Sequence, residues 1–191
     1  METDGPRTER RALLLEHAID LLADGGIAAV THRSVEKSAG VPHGSVTYWF
    51  DSREGLIDAM VDGLCVESEQ QAGAIAAGLE ASFASGEEPD PDAVAAATAA
   101  WIDGSRRHHL ARFELEVAAG RDARIAERMT RAAEVFWRMC EPIAVALGSE
   151  DPASDARAIA MMVDGLMLDR LVHPGQSEAV LAAAIRRLFG R

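Results

Sequence analysis

Apolar residues recur along this chain with the period of a helix, and no stretch shows the strict alternation of a half-buried strand. Leu14, Ala18, Leu21 and Leu22 follow an i, i+4, i+7, i+8 series, which predicts a first helix over 8–24, ended by Gly25-Gly26. Thr31 then reads as an N-cap flanked by Val30 and Val35 at the spacing of a hydrophobic staple. Val35 and Ala39 share one face of a short helix that Gly40 stops. Pro42 presets the entry of a second short helix, on which Val46 and Phe50 point one way, into a core. Ser52 caps a helix running to about residue 79 with Leu56, Ile57, Met60, Val61 and Leu64 on its inner side.

Residues 81–92, rich in Gly, Pro and acids, predict a loop, and Asp90-Pro91 opens a helix to about 106 carrying Val94, Thr98, Trp101 and Ile102. Leu110, Phe113 and Val117 mark one face of a helix over 107–119. A long stripe from Ile125 to Ile143 marks another over 122–147, with a kink or local break expected at Pro142. Helices over 152–172 and 176–189, parted by His173-Pro174-Gly175, complete an all-α chain of about nine helices.

Composition supports that reading. Nearly half of the 191 residues are hydrophobic, enough for a sizeable core, and aromatics are few. No stretch approaches the apolar length of a membrane span, so no membrane association is expected. METDGPRTERR is not followed by the apolar run of a secretory signal, and the two cysteines, Cys65 and Cys140, stand alone, which together predict a cytoplasmic protein with free thiols. The net charge of −12 argues against a protein that coats nucleic acid nonspecifically. Residues 31–53 differ: Arg33, Lys37 and Arg53 against Glu36 and Asp51 leave a net of +1, with His32 and His43 beside them.

The second short helix leaves His43, Gly44, Ser45, Thr47, Tyr48 and Trp49 outside its core face. Small residues at its start and aromatics at its end suit a recognition helix, whose N-terminal residues approach base edges while flanking groups hold phosphates. An ordinary helical hairpin with a partly exposed aromatic cluster fits the same residues.

Taken together, the N-terminal helix, T-x-R at 31–33, A-G-V at 39–41, G-S-V-T-Y-W-F at 44–50 and S-R-E-G-L-I at 52–57 resemble the DNA-binding domain of the tetracycline-repressor (TetR) family. The resemblance covers about residues 8–62. It implies a three-helix helix-turn-helix domain over 1–53 and a larger helical ligand-binding and dimerisation domain over 54–191, joined by the helix from 53 to about 79. It implies a homodimer on palindromic double-stranded operator DNA, most simply a repressor released by a small-molecule inducer of unknown identity. By position, His43, Gly44, Ser45, Thr47 and Tyr48 fall where bases or nearby backbone are met, and Arg33 where a base or phosphate is reached. His32, Trp49 and Arg53 fall on phosphate-contacting positions, and Thr31 joins the DNA-binding set. The family pattern most often has Tyr at position 47 and often Lys at position 43, where this chain has Thr and His.

Other chemistry finds little support. His108-His109 are adjacent rather than one turn apart, so no metal site is expected; no nucleophile elbow, phosphate loop or dinucleotide motif is present, and neither catalysis nor a cofactor is expected. Trp101, Phe113, Met129, Phe136, Trp137, Met139 and Cys140 are large, adaptable residues that either line a ligand pocket or fill a core, with Glu114, Thr130 and His109 as polar candidates. Ile159, Val163, Leu166, Val180, Leu181 and Ile185 on the last two helices are candidates for a dimer interface, or for the chain's own core. The alternative to a DNA-binding regulator is a helical ligand- or partner-binding protein whose DNA binding is weak or has lapsed, a reading motivated by the acidic charge.

Overall fold

The computed structural model describes residues 5–87, 89–174 and 178–189. Among them run nine helices and no strand: α1 (Gly5–Ala29), α2 (His32–Ser38), α3 (Ser45–Phe50), α4 (Arg53–Ser85), α5 (Pro91–Gly104), α6 (Arg106–Ala119), α7 (Ala123–Ala146), α8 (Pro152–Val172) and α9 (Glu178–Phe189). Helix order follows the apolar series, and the ends shift for local reasons. α1 continues to Ala29 but leaves helical geometry at Gly26, where φ is 67°. α4 passes residue 79 because nothing in 80–85 breaks it, and Gly86 with φ 75° follows its end. Of the kink or local break expected at Pro142, the break does not occur: α7 continues through it, the proline removing one i to i−4 hydrogen bond, to the carbonyl of Arg138.

The chain forms two compact units, Met1–Val66 with Arg107–Ala132, and Glu67–Arg106 with Ala133–Arg191. The first unit takes in the start of α4, to Val66. The cause is the inner stripe of α4: Leu56, Ile57, Met60, Val61 and Leu64 are buried in the same cluster as Leu14, Ala18 and Leu22 of α1. Each such aliphatic side chain contributes about 1.5–3 kcal/mol when taken from water.

In the first unit that cluster also takes Val35 of α2, Val46 and Phe50 of α3, Ala111 and Leu115 of α6 and Ile125 of α7. The packed face of α6 is not the predicted one. His109, Ala111 and Leu115 are buried, whereas Val117 is exposed and Phe113 half-buried beneath the Arg112 guanidinium, 4.6 Å from its ring centroid. Small Ala111 lets the helix approach closely between His109 and Leu115, and Phe113 and Val117 are left at its margin. Arg107 pairs with Asp20, and Arg128 with Asp62, around the rim.

The second unit has two apolar clusters. One joins Ala76 and Leu79 of α4 to Cys140, Ile143 and Ala144 of α7 and Ala156, Ile159 and Ala160 of α8. The other packs Ala95 and Ala99 of α5 against Leu181 and Ile185 of α9. Alanine on one side of each contact accepts the larger aliphatic on the other. Asp90 caps α5 by accepting from Asp92 N–H at 3.0 Å, and Arg186 and Arg170 hold Asp92 and Asp103 at either end of that helix.

Candidate nucleic-acid interface and ligand cavity

The short helices α2 and α3 are held by more than their apolar sides. Thr31 Oγ1 accepts from Ser34 N–H at 3.1 Å, and Ser34 Oγ accepts from Thr31 N–H at 2.9 Å, closing a reciprocal cap. Val30 and Val35 of the predicted staple are fully buried. Gly40, with φ 64°, lets Val41 N–H return to Glu36 O at 3.0 Å. α3 does not begin at Pro42. Gly44 takes the N-cap position with φ 90°, and Pro42 stands upstream, its carbonyl accepting from Ser45 N–H at 3.2 Å and from Ser45 Oγ at 2.6 Å.

Glycine has no side chain with which to cap α3, and Glu36 supplies the missing acceptor. Only 4% of Glu36 is exposed. Its Oε1 accepts from Gly44 N–H at 2.8 Å and Val46 N–H at 3.2 Å, and His43 Nδ1 lies 3.0 Å from Oε2. Burial alone would raise the carboxyl's pKa. The hydrogen bonds from His43, Val46 and Gly44, helped by the charge of His43, outweigh it and hold Glu36 below the usual carboxylate range. Glu36 therefore fixes where α3 starts and which way it points. In the sequence it counts only as a surface charge; the available signal is an uncapped helix eight residues downstream of an acid beside a core valine.

With Val46 and Phe50 turned inward, α3 presents Thr47 and Tyr48 outward, and Tyr48 is 65% exposed. His43, Gly44 and Thr31 are exposed beside them, Ser45 is half-buried, and Arg33 and Lys37 extend from α2. His32 Nδ1 lies 3.0 Å from Thr47 Oγ1, a tie between the two helices. Trp49 is half-buried on the core, edge-on to Tyr48 with centroids 5.0 Å apart. Arg53, expected at a phosphate, is engaged with the protein's own backbone. It is half-buried, with Nε donating to Val30 O at 3.1 Å and an Nη to Ile27 O at 2.7 Å, so it braces the carbonyls that follow the Gly26 break. That engagement also explains a cation in the first turn of α4, where the helix dipole disfavours one.

The predicted pocket residues divide. Trp101, Phe136, Met139 and Cys140 line a cavity of about 70 Å³ in the second unit. Trp137 packs beside it with Arg157 stacked 4.7 Å above its ring. Phe113, Glu114 and Met129, together with His109 and Thr130, belong to the first unit and take no part; Glu114 instead lies against Gly26. The remaining walls carry no such signal in the sequence: Ala72, Ile75, Ala76 and Leu79 of α4, Val94 and Thr98 of α5, Ile143 of α7, and Met162 of α8. Three of the residues predicted at the dimer interface, Ile159, Val163 and Ile185, also face this cavity. Leu181 is buried and Leu166 packs within the same unit's core, leaving Val180 exposed. The apolar face that α8 leaves open is a different one, Met161, Leu168 and Val172, spaced seven and four residues apart.

Among the described residues no three or more His, Cys, Asp or Glu are gathered as a metal ion would need, and no helix is long and apolar enough to cross a membrane.

Residues 14–60 match the family described as bacterial regulatory proteins, tetR family, and residues 89–191 match the tetracyclin repressor-like C-terminal domain. A curated relative, the HTH-type transcriptional repressor KstR2 of Rhodococcus jostii (strain RHA1), is 37% identical over 62 residues, which span 32% of this chain and 30% of that protein. Among solved structures, a TetR-family transcriptional regulator from Rhodococcus sp. superposes with a TM-score of 0.72 at 20% identity, over 95% of this chain and 99% of the other, a likeness of fold. The multidrug binding protein EbrR complexed with imidazole gives a TM-score of 0.70 at 26% identity, over 95% and 96% of the two chains.

Proposed function

The chain belongs to the tetR family of bacterial regulatory proteins, DNA-binding transcriptional regulators, and on that premise we propose that it is a cytoplasmic repressor released from its operator by a small molecule. The segment 1–53 reads the DNA. The observation that carries this reading is α3 itself: a helix anchored by Val46 and Phe50, capped by the buried Glu36, and presenting Thr47 and Tyr48 outward. Ser45, Thr47 and Tyr48 meet base edges; His43 and Gly44 approach the backbone; Thr31, His32, Arg33 and Trp49 flank the phosphates. Arg53 acts behind this face, as a brace.

The repressor acts as a homodimer, and a second copy covers the open face of Met161, Leu168 and Val172 on α8 with Val180 on α9. Its recognition helices then meet successive half-sites about 34–36 Å apart. Of the residues first predicted at that interface Val180 stays on it, while Ile159, Val163 and Ile185 line the cavity and Leu166 and Leu181 pack in the core. The effector occupies the cavity beside Trp101 and Phe136, a placement that the likeness to EbrR, a multidrug binding protein, supports. α4 lends Ala72, Ala76 and Leu79 to the cavity wall and is continuous back to Arg53, so a ligand that prefers one set of its positions shifts DNA affinity, and DNA shifts ligand affinity by the same factor.

Titration of a labelled duplex from upstream of the gene, followed by fluorescence anisotropy, tests this reading. Saturable binding that outcompetes unrelated duplex and weakens steeply with salt is expected. Binding no tighter than to unrelated duplex would leave the ligand- or partner-binding alternative in its place.

A further inference from the structure

We propose that the cavity of the second unit takes a small, uncharged, flat molecule with at most one hydrogen-bond donor, and excludes organic cations and carboxylates of the same shape. The inference rests on the reading of this cavity as the effector site and adds the chemical class of the effector.

The walls carry the argument. Among the described residues, no Asp, Glu, Lys, Arg or His lines the cavity. An ion entering it gives up its hydration and meets no countercharge in the wall itself, a loss far larger than neutral groups suffer. Trp101 and Phe136 offer broad, nearly parallel ring faces, 6.5 Å between centroids and 29° between planes, and these favour a flat partner. Aromatic faces do attract cations, but that attraction is small beside the desolvation of a buried charge. One acid, Asp164, acts on the Cys140 thiol without itself forming part of the wall. Burial, with that charge second, pushes the thiol up to about 11, so Cys140 adds no charge to the wall at pH 7.

Among the described residues, one hydroxyl lines the cavity. Thr98 is buried, and its hydroxyl proton is committed to Val94 O at 2.8 Å, which leaves its oxygen able to accept from a ligand donor. The volume of about 70 Å³ corresponds, at roughly 10–15 Å³ per water, to about one small ring. Larger ligands require Met139 and Met162 to move aside, which their unbranched thioethers allow.

Benzyl alcohol, benzylammonium and benzoate provide a neutral, a cationic and an anionic ligand of nearly one shape. The full chain is titrated with each at pH 7 while the methyl NMR signals of Met139 and Met162, assigned from Met→Leu variants, are recorded. Benzyl alcohol is expected to shift both methyls saturably, and each ion to bind on the order of 100-fold more weakly. Thr98→Val is expected to weaken benzyl alcohol several-fold and leave toluene unchanged. Filling the cavity with Ala72→Phe, or with Val163→Phe should the first variant not fold, is expected to abolish the shifts. If either ion moves the same methyls at the same concentration as the alcohol, the assigned class is wrong while the cavity stands as a ligand site. If none of the three moves them, the cavity is not a ligand site and both readings fall.

Discussion

Polar groups are used differently in the interiors of the two units. Around α3 a buried carboxylate and a half-buried guanidinium each hold backbone groups: Glu36 gathers the N–H groups that open the recognition helix, and Arg53 gathers the carbonyls that close α1. Around Trp101 and Phe136, among the described residues, no ionised side chain lines the cavity, and space is left open. Satisfied buried polar groups impose one geometry because any other leaves them unpaired. An apolar wall with two methionines tolerates several. The comparison assigns orientation to the first unit and adaptability to the second, the division that a ligand-controlled DNA reader needs.

The comparison breaks most readily at Glu36. Glu36→Ala leaves the N–H groups of Gly44 and Val46 without their acceptor, and a loss of about 2–3 kcal/mol of stability is expected, measured by chemical denaturation. Affinity for the operator duplex should fall with it. A variant that is as stable as the parent would show that the α3 start is fixed by packing alone.

Two valines sharpen the contrast at a smaller scale. Val46 is fully enclosed beneath α3, while Val163 faces the open cavity. The same truncation should therefore differ in cost: about 1.5–2.5 kcal/mol for Val46→Ala, which creates a void, and under about 1 kcal/mol for Val163→Ala, which only enlarges one. Equal costs in denaturation would mean that the second interior is packed as tightly as the first.

The smallest effect expected is a pH dependence. The folded pKa of Glu36 is depressed, so the extra stability of its ionised form is present above the ordinary carboxyl value and is lost as pH falls through the lower folded value. The stability difference between the parent and Glu36→Gln should accordingly be flat near neutrality and shrink below about pH 4.5. A difference that grows toward acid would contradict the assignment of the charged form as the cap.

Much of the fold was legible because its signals are local. Apolar spacing marked the helices, and Thr31, Gly40, Ser52 and Asp90-Pro91 marked caps and stops that the structure retains. What escaped depends on contacts between distant segments. Glu36 looked solvated because its partners lie eight and ten residues away. Arg53 looked free because its acceptors are carbonyls of α1 and its end, more than twenty residues back. Phe113 and Met129 looked like pocket residues by type, yet 107–132 packs with the N-terminal helices rather than with the cavity. On α8, Ile159 and Val163 form as good an apolar stripe as Met161, Leu168 and Val172, and spacing alone does not say which faces inward.

The central claim is that α3 reads DNA through Tyr48 while Arg53 only holds the scaffold behind it, and paired measurement of thermal stability and operator affinity on Tyr48→Ala and Arg53→Ala tests it most directly. Tyr48→Ala should leave the melting temperature within about 1–2 °C of the parent, since the side chain is largely exposed, and weaken operator binding on the order of 10-fold or more with altered sequence preference. Arg53→Ala should lower stability by about 2–3 kcal/mol by unpairing two carbonyls, and in conditions where it is folded should leave the salt dependence of DNA binding unchanged. The opposite pattern, a stable Arg53→Ala whose salt slope falls by about 1 beside a Tyr48→Ala that binds operator like the parent, would contradict the account.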